Sequence, residues 1–482
     1  MRRSLLALVV ISSLALAAAP VHSPPSSRPR YGGTVRVLLR HKITSLDPVQ
    51  ESDDPAARDR VAALIYETLT TIDAQGRTQP KLATSWQADS ARRVWQFTLR
   101  AATFHDGTPV TATAVAASLK SANPEWRVIA TGKQSFTVEA PTPVPHLPEF
   151  LALARFSIIK RNGALIGTGP FTLTDWQPGE RALLTAYDNY WGGRAFPDSI
   201  EFRMGLSLRE HLMERNLGLD HAVELGVDQV RALEPAPANQ ALLVSRPADL
   251  LVVVFLQPNA DSSPAIRAAH RQIDPRIREA LADSINRTAI SNVLLQKKGA
   301  PAGGLLPQWM TGYEFLFPGK QDLDRARKLR ADAGTAAPIT LAYDAADPIM
   351  KTVAERIAVD AREAAIAVQP LGDLRVNSKS GRAALNADAV LLRLPLRSLD
   401  PTAALASMAD DLALPPEAIS AILRSAHPEE LAEEERKALA GNRIIPVVHL
   451  AQVVWTNNNV HNWRQLPNGG WALDQLWVEG TK

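Results

Sequence analysis

The residue types that could do chemistry in this chain are plentiful, but their spacing argues mostly against catalysis. Ten histidines are scattered through 482 residues. None forms an H-E-x-x-H helix motif or a close pair suited to a metal. Cysteine is absent, which removes thiol nucleophiles, zinc–thiolate sites and disulfides together. No G-x-S-x-G elbow occurs. Gly167-Thr168-Gly169-Pro170 resembles part of a phosphate loop, yet no Lys-Ser/Thr follows it, so a tight turn between strands is the expected reading. Asp and Glu are abundant, but pairing across a cleft is not legible from spacing. His105 is expected to be a structural turn residue. The expected inventory is therefore no catalytic residue, no cofactor and no metal.

The elements that would position any site are easier to read. Trp95, Phe97 and Leu99 alternate with Gln96, Thr98 and Arg100, the period of a strand with one buried face. Asp106-Gly107 supplies a turn, and Thr111 is placed to cap a helix through Val115 and Leu119. Val61 to Leu69 reads as a helix. Leu250 to Leu256 is an unbroken apolar run, the pattern of a strand buried on both faces. Asp274-Pro275 opens a helix with Ile277, Leu281 and Ile285 on one side, and Asp322 to Gly334 is a second capped helix. A strand (Ile339 to Leu341), a long helix (Lys351 to Ala365) and a strand (Ile366 to Gln369) give the βαβ alternation of a mixed α/β sheet. Asp410-Asp411 is expected in a solvated loop, and Glu429 to Glu435 as a charged helix face.

Composition bounds the class. At 46% hydrophobic and 21% charged the chain is globular, and a formal charge of +3 without a basic stripe gives nucleic-acid binding little support. Arg2-Arg3, the apolar stretch Leu5 to Ala19 and the A-x-A cleavage pattern Ala15-Leu16-Ala17 read as a cleaved export signal in residues 1–19. Residues 20–30, rich in Pro and Ser, read as a disordered leader. A lipid anchor through a cysteine is not available, so a periplasmic protein is expected.

Several segments, in order, resemble one family. They are the opening Tyr31-Gly32-Gly33-Thr34, the Ser45-Leu46-Asp47-Pro48 turn, and Tyr66-Glu67-Thr68-Leu69. After them come the stretch Leu82 to Pro109 ending in Phe104-His105-Asp106-Gly107-Thr108-Pro109, then Gly167 to Phe171, and Asp274 to Arg287. The chain is on these grounds identified as a member of the family 5 solute-binding proteins, extracytoplasmic receptors of ABC importers for oligopeptides, dipeptides and nickel complexes. The resemblance implies a two-lobed periplasmic-binding-protein fold, α/β and type II-like, with mixed sheets and crossover hinge strands. Lobe one is expected over 31–249, with a reduced subdomain at about 110–166, lobe two over 250–442, and a return to lobe one over 443–482. It implies as partners a small peptide-like solute and ABC permease subunits, with the receptor a monomer. Two other classes stay open: a secreted α/β hydrolase, and a two-lobed sensor not coupled to transport.

The resemblance also nominates site residues. Leu396 to Pro401 resembles a lobe-two loop whose first acid, in peptide-binding members, pairs with the ligand's α-ammonium group. Arg397 stands at that place here. It would either attract a carboxylate or phosphate, or turn outward to pair with Asp400 or another acid. Trp309 and Tyr313, in the loop after Pro307, are cleft candidates with core packing as the alternative. His41, just after the first strand, and Trp455, in the returning segment, complete the set.

Overall fold

The computed structural model describes residues 28–479 except 53, 207–208, 211–212, 215–219, 231–239, 258–269, 314 and 474. The expected export signal (1–19), and the leader as far as residue 27, lie outside the described residues.

Two sheets organise the described chain. A seven-stranded mixed sheet runs in the order Phe171–Gln177, Arg181–Ala186, Ser199–Arg203, Thr34–Leu38, Ala222–Leu225, Val453–Asn457, Gln240–Val244. A six-stranded sheet runs Gly299–Pro301, Ile444–Leu450, Asp249–Phe255, Ala389–Leu394, Ile339–Tyr343, Val368–Gly372. The apolar run Asp249–Phe255 is buried at every position because it lies between two antiparallel neighbours inside that sheet. The βαβ expectation is met by Ile339–Tyr343 and Val368–Gly372, a parallel pair joined by the helix Pro348–Glu363. That helix buries Ile349, Val353, Ile357 and Ala361, an i, i+4 stripe facing the sheet.

A four-stranded antiparallel sheet orders Ala83–Ala88, Val94–Leu99, Ser135–Glu139, Arg127–Ala130. Trp95, Phe97 and Leu99 point inward and alternate with exposed neighbours, and Phe97 stacks on Phe136 at 5.2 Å. Thr111 caps the helix Ala112–Ala122. The apolar cluster of this unit starts at Leu69 and reaches Ile158, so the subdomain begins well before residue 110.

Two crossings join the sheets. One is 245–248, between Gln240–Val244 and Asp249–Phe255. The other is 451–452, between Ile444–Leu450 and Val453–Asn457. They run side by side: Ser245 N donates to Gln452 O at 2.9 Å and Ala248 N to Leu450 O at 2.8 Å. The return to lobe one therefore falls at 451–452 and not at 443, since Ile444–Leu450 still pairs within the six-stranded sheet. The Gly167-Thr168-Gly169-Pro170 segment is irregular backbone ending in a bend, packed on the chain at Ile65: Gly169 N donates to Ile65 O at 2.9 Å, and a Cβ on Gly167 would stand 2.0 Å from that oxygen.

Two charged segments differ from their sequence reading. Asp410 is exposed in a turn as expected, but Asp411 beside it is partly buried and held by Arg382 at 2.9 Å. Glu435 is 1% exposed, unlike Glu429, Glu430 and Glu433 on the helix Pro428–Leu439, and lies on its buried side with Leu431 and Leu439, where it accepts hydrogen bonds from Leu305 N and Leu306 N.

Candidate functional site

Where the crossings meet the two sheets, side chains from distant parts of the chain form one closed polar network. Arg60, on the helix Pro55–Ile65, donates to Glu224 at 2.5 Å and to Gln452 at 2.7 Å. Gln452 donates to Asp249 at 3.1 Å. Arg393 donates to Asp249 at 2.8 Å and lies 3.7 Å from Asp347. Arg40 donates to Asp347 at 2.7 Å, and its backbone N–H to Glu224 at 3.2 Å, which closes the loop. Arg40, Arg60 and Glu224 belong to the first lobe, and Asp249, Arg393 and Asp347 to the second. The Arg40–Asp347 pair is thus a direct bridge between lobes.

Local rules place these groups. Asp54 and Asp347 are N-caps followed by proline, each accepting a backbone N–H of the first turn. Glu224 and Arg393 sit on strands that are otherwise apolar, so their side chains need charged partners when buried. Burial pushes the Asp347 carboxyl up, but Arg40, Arg393 and His41 together outweigh it and hold it below its ordinary value. Asp54 is likewise driven up by burial and held down by His41 and Arg60. Glu224 follows the same balance, with Arg60 as its main counter-charge. Burial alone would lower the Arg393 guanidinium, yet Asp249, Asp347 and Asp54 raise it.

The network encloses about 60 Å³ of space, bordered by five carboxylates and three guanidinium groups. Carboxylates thus outnumber guanidinium groups by two there. The space suits water-sized occupants, so anything larger requires the lobes to part. Among the described residues no group of three or more His, Cys, Asp or Glu is arranged to hold a metal ion, and no helix is long and apolar enough to cross a membrane.

The sequence model of the bacterial extracellular solute-binding proteins, family 5 Middle, matches residues 77–411. The chain belongs to this family. Among curated relatives, the probable D,D-dipeptide-binding periplasmic protein DdpA of Escherichia coli K12 is 26% identical over 309 residues, 57% of each chain. The dipeptide-binding protein of the same organism is 28% identical over 207 residues, 40% of this chain and 36% of that one. The chain spans no more than about three fifths of the length of these relatives. Among solved structures, Staphylococcus aureus NikA in complex with Ni(L-His)2 aligns with a TM-score of 0.77 at 19% identity, covering 92% of this chain and all of that one. Bacillus subtilis AppA in complex with a nonapeptide aligns with a TM-score of 0.77 at 15% identity, covering 94% of this chain and all of that one. The two-lobed periplasmic-binding fold expected from sequence is the fold observed.

In this family 5 chain the nominated residues fall in five places. His41 borders the central space. Arg397 stands 3.8 Å from Asp411, away from the network. Asp400 caps the helix Pro401–Met408 by accepting from Ala403 N at 2.8 Å, with His146 3.8 Å away; burial pushes its carboxyl up. Trp309 and Tyr313 lie together in a separate cavity, where Trp309 Nε1 donates to Pro247 O at 2.7 Å. Trp455 is 1% exposed, on the strand between Ala222–Leu225 and Gln240–Val244. Sequence reasoning missed Arg40, Asp54, Arg60, Glu224, Asp347 and Arg393. The one available cue was a charge inside an apolar strand, as in the run Ala389–Leu394.

Proposed function

We propose that this chain is the substrate receptor of an ABC importer, working in the periplasm once residues 1–19 are removed. It captures a small peptide-like solute between its lobes, delivers it to permease subunits and leaves it chemically unaltered. The observation that carries this reading is the buried network at the crossings. Both lobes contribute charges to it, and Arg40–Asp347 links them directly.

Such a site is suited to a clamp. A solute that contacts both lobes binds the closed arrangement better than the open one, and so shifts the hinge equilibrium. The acid excess suits a cationic end on the solute, such as a free α-ammonium group. An entering ammonium would take over part of the role Arg40 now plays toward Asp347. The remaining length of an extended ligand would be held by main-chain hydrogen bonds and bridging water.

Calorimetric titration with dialanine and N-acetyl-dialanine tests the reading. The expected result is one-to-one binding of the free dipeptide, about tenfold or more tighter than the acetylated one. Equal affinities, or cleavage of the dipeptide during the titration, would contradict it.

A further inference from the structure

A second cavity lies across the six-stranded sheet from the charge network. In the strand pair Asp249–Phe255 and Ile444–Leu450, Leu250 stands opposite His449, and Asp249 opposite Leu450. Successive side chains leave a strand on opposite faces, so His449 and Asp249 point to different sides of the sheet. Asp249 borders the central network. His449 borders a cavity of about 410 Å³, walled by Leu306, Trp309, Tyr313 and Phe315, with Glu435 among its lining. Its size is that of a small-molecule pocket.

Glu435 is the feature that needs explaining. It is 1% exposed. Its Oε1 accepts from Leu305 N at 2.5 Å and Leu306 N at 3.2 Å. Its Oε2 is buried with no hydrogen-bond partner. The loop is shaped around the carboxylate: a Cβ on Gly304 would stand 2.6 Å from Oε1. His449 offers no counter-charge, because burial drives its imidazole down to about 4 and its Nε2 is engaged with Leu305 O at 3.1 Å. Tyr313 spends its hydroxyl proton on Pro428 O at 2.5 Å. Lys320 also borders the cavity, from an exposed position. An unmatched buried acceptor is costly, and its residue is part of the wall of a cavity that aromatic rings also line.

We propose that this cavity is a second ligand site, separate from the cleft, which takes a small organic ammonium ion bearing a flat apolar group. The ammonium donates to Glu435 Oε2, and the apolar group packs against Trp309, Tyr313 and Phe315, whose ring faces favour a nearby cation.

The test is calorimetry on the full chain with 2-phenylethylammonium and, as its neutral counterpart, 2-phenylethanol. The expected result is one-to-one binding of the ammonium, about tenfold or more tighter than the alcohol. Glu435→Gln should weaken the ammonium by a similar factor, and Asp54→Asn, in the cleft, should leave it bound. No binding of the ammonium, equal affinity for the alcohol, no effect of Glu435→Gln, or loss of binding in Asp54→Asn would each overturn the proposal. Should Glu435→Gln fail to fold, the amine–alcohol comparison on the unaltered chain decides it.

Discussion

Replacing Glu435 by glutamine should change how stability depends on pH, and the size of the change follows from its surroundings. Burial pushes this carboxyl from 4.5 up to about 7. Between those values the folded chain keeps a proton that the unfolded chain has released, so stability falls as pH rises through the window and levels off above about 7. At about 1.36 kcal/mol per pH unit, the interval amounts to about 3 kcal/mol. Glutamine retains an oxygen for Leu305 N and Leu306 N but cannot ionise. Asp220, Asp283, Asp360 and Asp400 are also pushed up by burial, so the informative quantity is the difference between the two proteins. Urea unfolding of both, at steps from pH 4.5 to 8, should show the unaltered chain losing about 3 kcal/mol relative to Glu435→Gln. Parallel stability curves would refute the reasoning.

Other outcomes follow from the same geometry. Arg40→Gln removes the inter-lobe bridge, costing the closed arrangement about 2 kcal/mol, or roughly thirtyfold in the closed-to-open ratio. Because the chain has no cysteine, Thr174→Cys with Glu355→Cys places spin labels on the two lobes, and the measured distances should lengthen in Arg40→Gln. An unchanged distribution would remove the bridge from the account. Gly167→Ala forces a Cβ into Ile65 O and should destabilise by about 1–3 kcal/mol, read as a lowered melting temperature. Arg397→Ala, beside Asp411 and outside the network, should leave dipeptide affinity within about twofold by calorimetry, since surface ion pairs contribute little.

The elements were far more legible than the site. Period-two alternation at Val94–Leu99 and the Asp-Pro start of Pro275–Ser284 are local signals, and the structure follows them, whereas the helix expected from Lys351 starts at Pro348, after the cap Asp347. The helix Pro55–Ile65 was placed late, from Val61, although Asp54-Pro55 carries the same start signal. The network depends on partners brought together only by the fold: Arg40 with Asp347, and Arg60 with Glu224 and Gln452. Glu435 illustrates the same limit. It falls on the same helical stripe as Leu431 and Leu439, which is buried, but the sequence does not show the loop at Leu305 and Leu306 whose N–H groups its carboxylate accepts. Asp411 looked solvated for the corresponding reason, since Arg382 reaches it from another segment.

The central claim is that a solute is gripped between the lobes and released intact. Native mass spectrometry of the protein purified from a periplasmic extract tests this directly. The account predicts a one-to-one complex with a small solute, whose mass after denaturing release equals its mass after prolonged incubation with the protein. A solute recovered in fragments, or a protein that carries and accepts no small molecule, would contradict it.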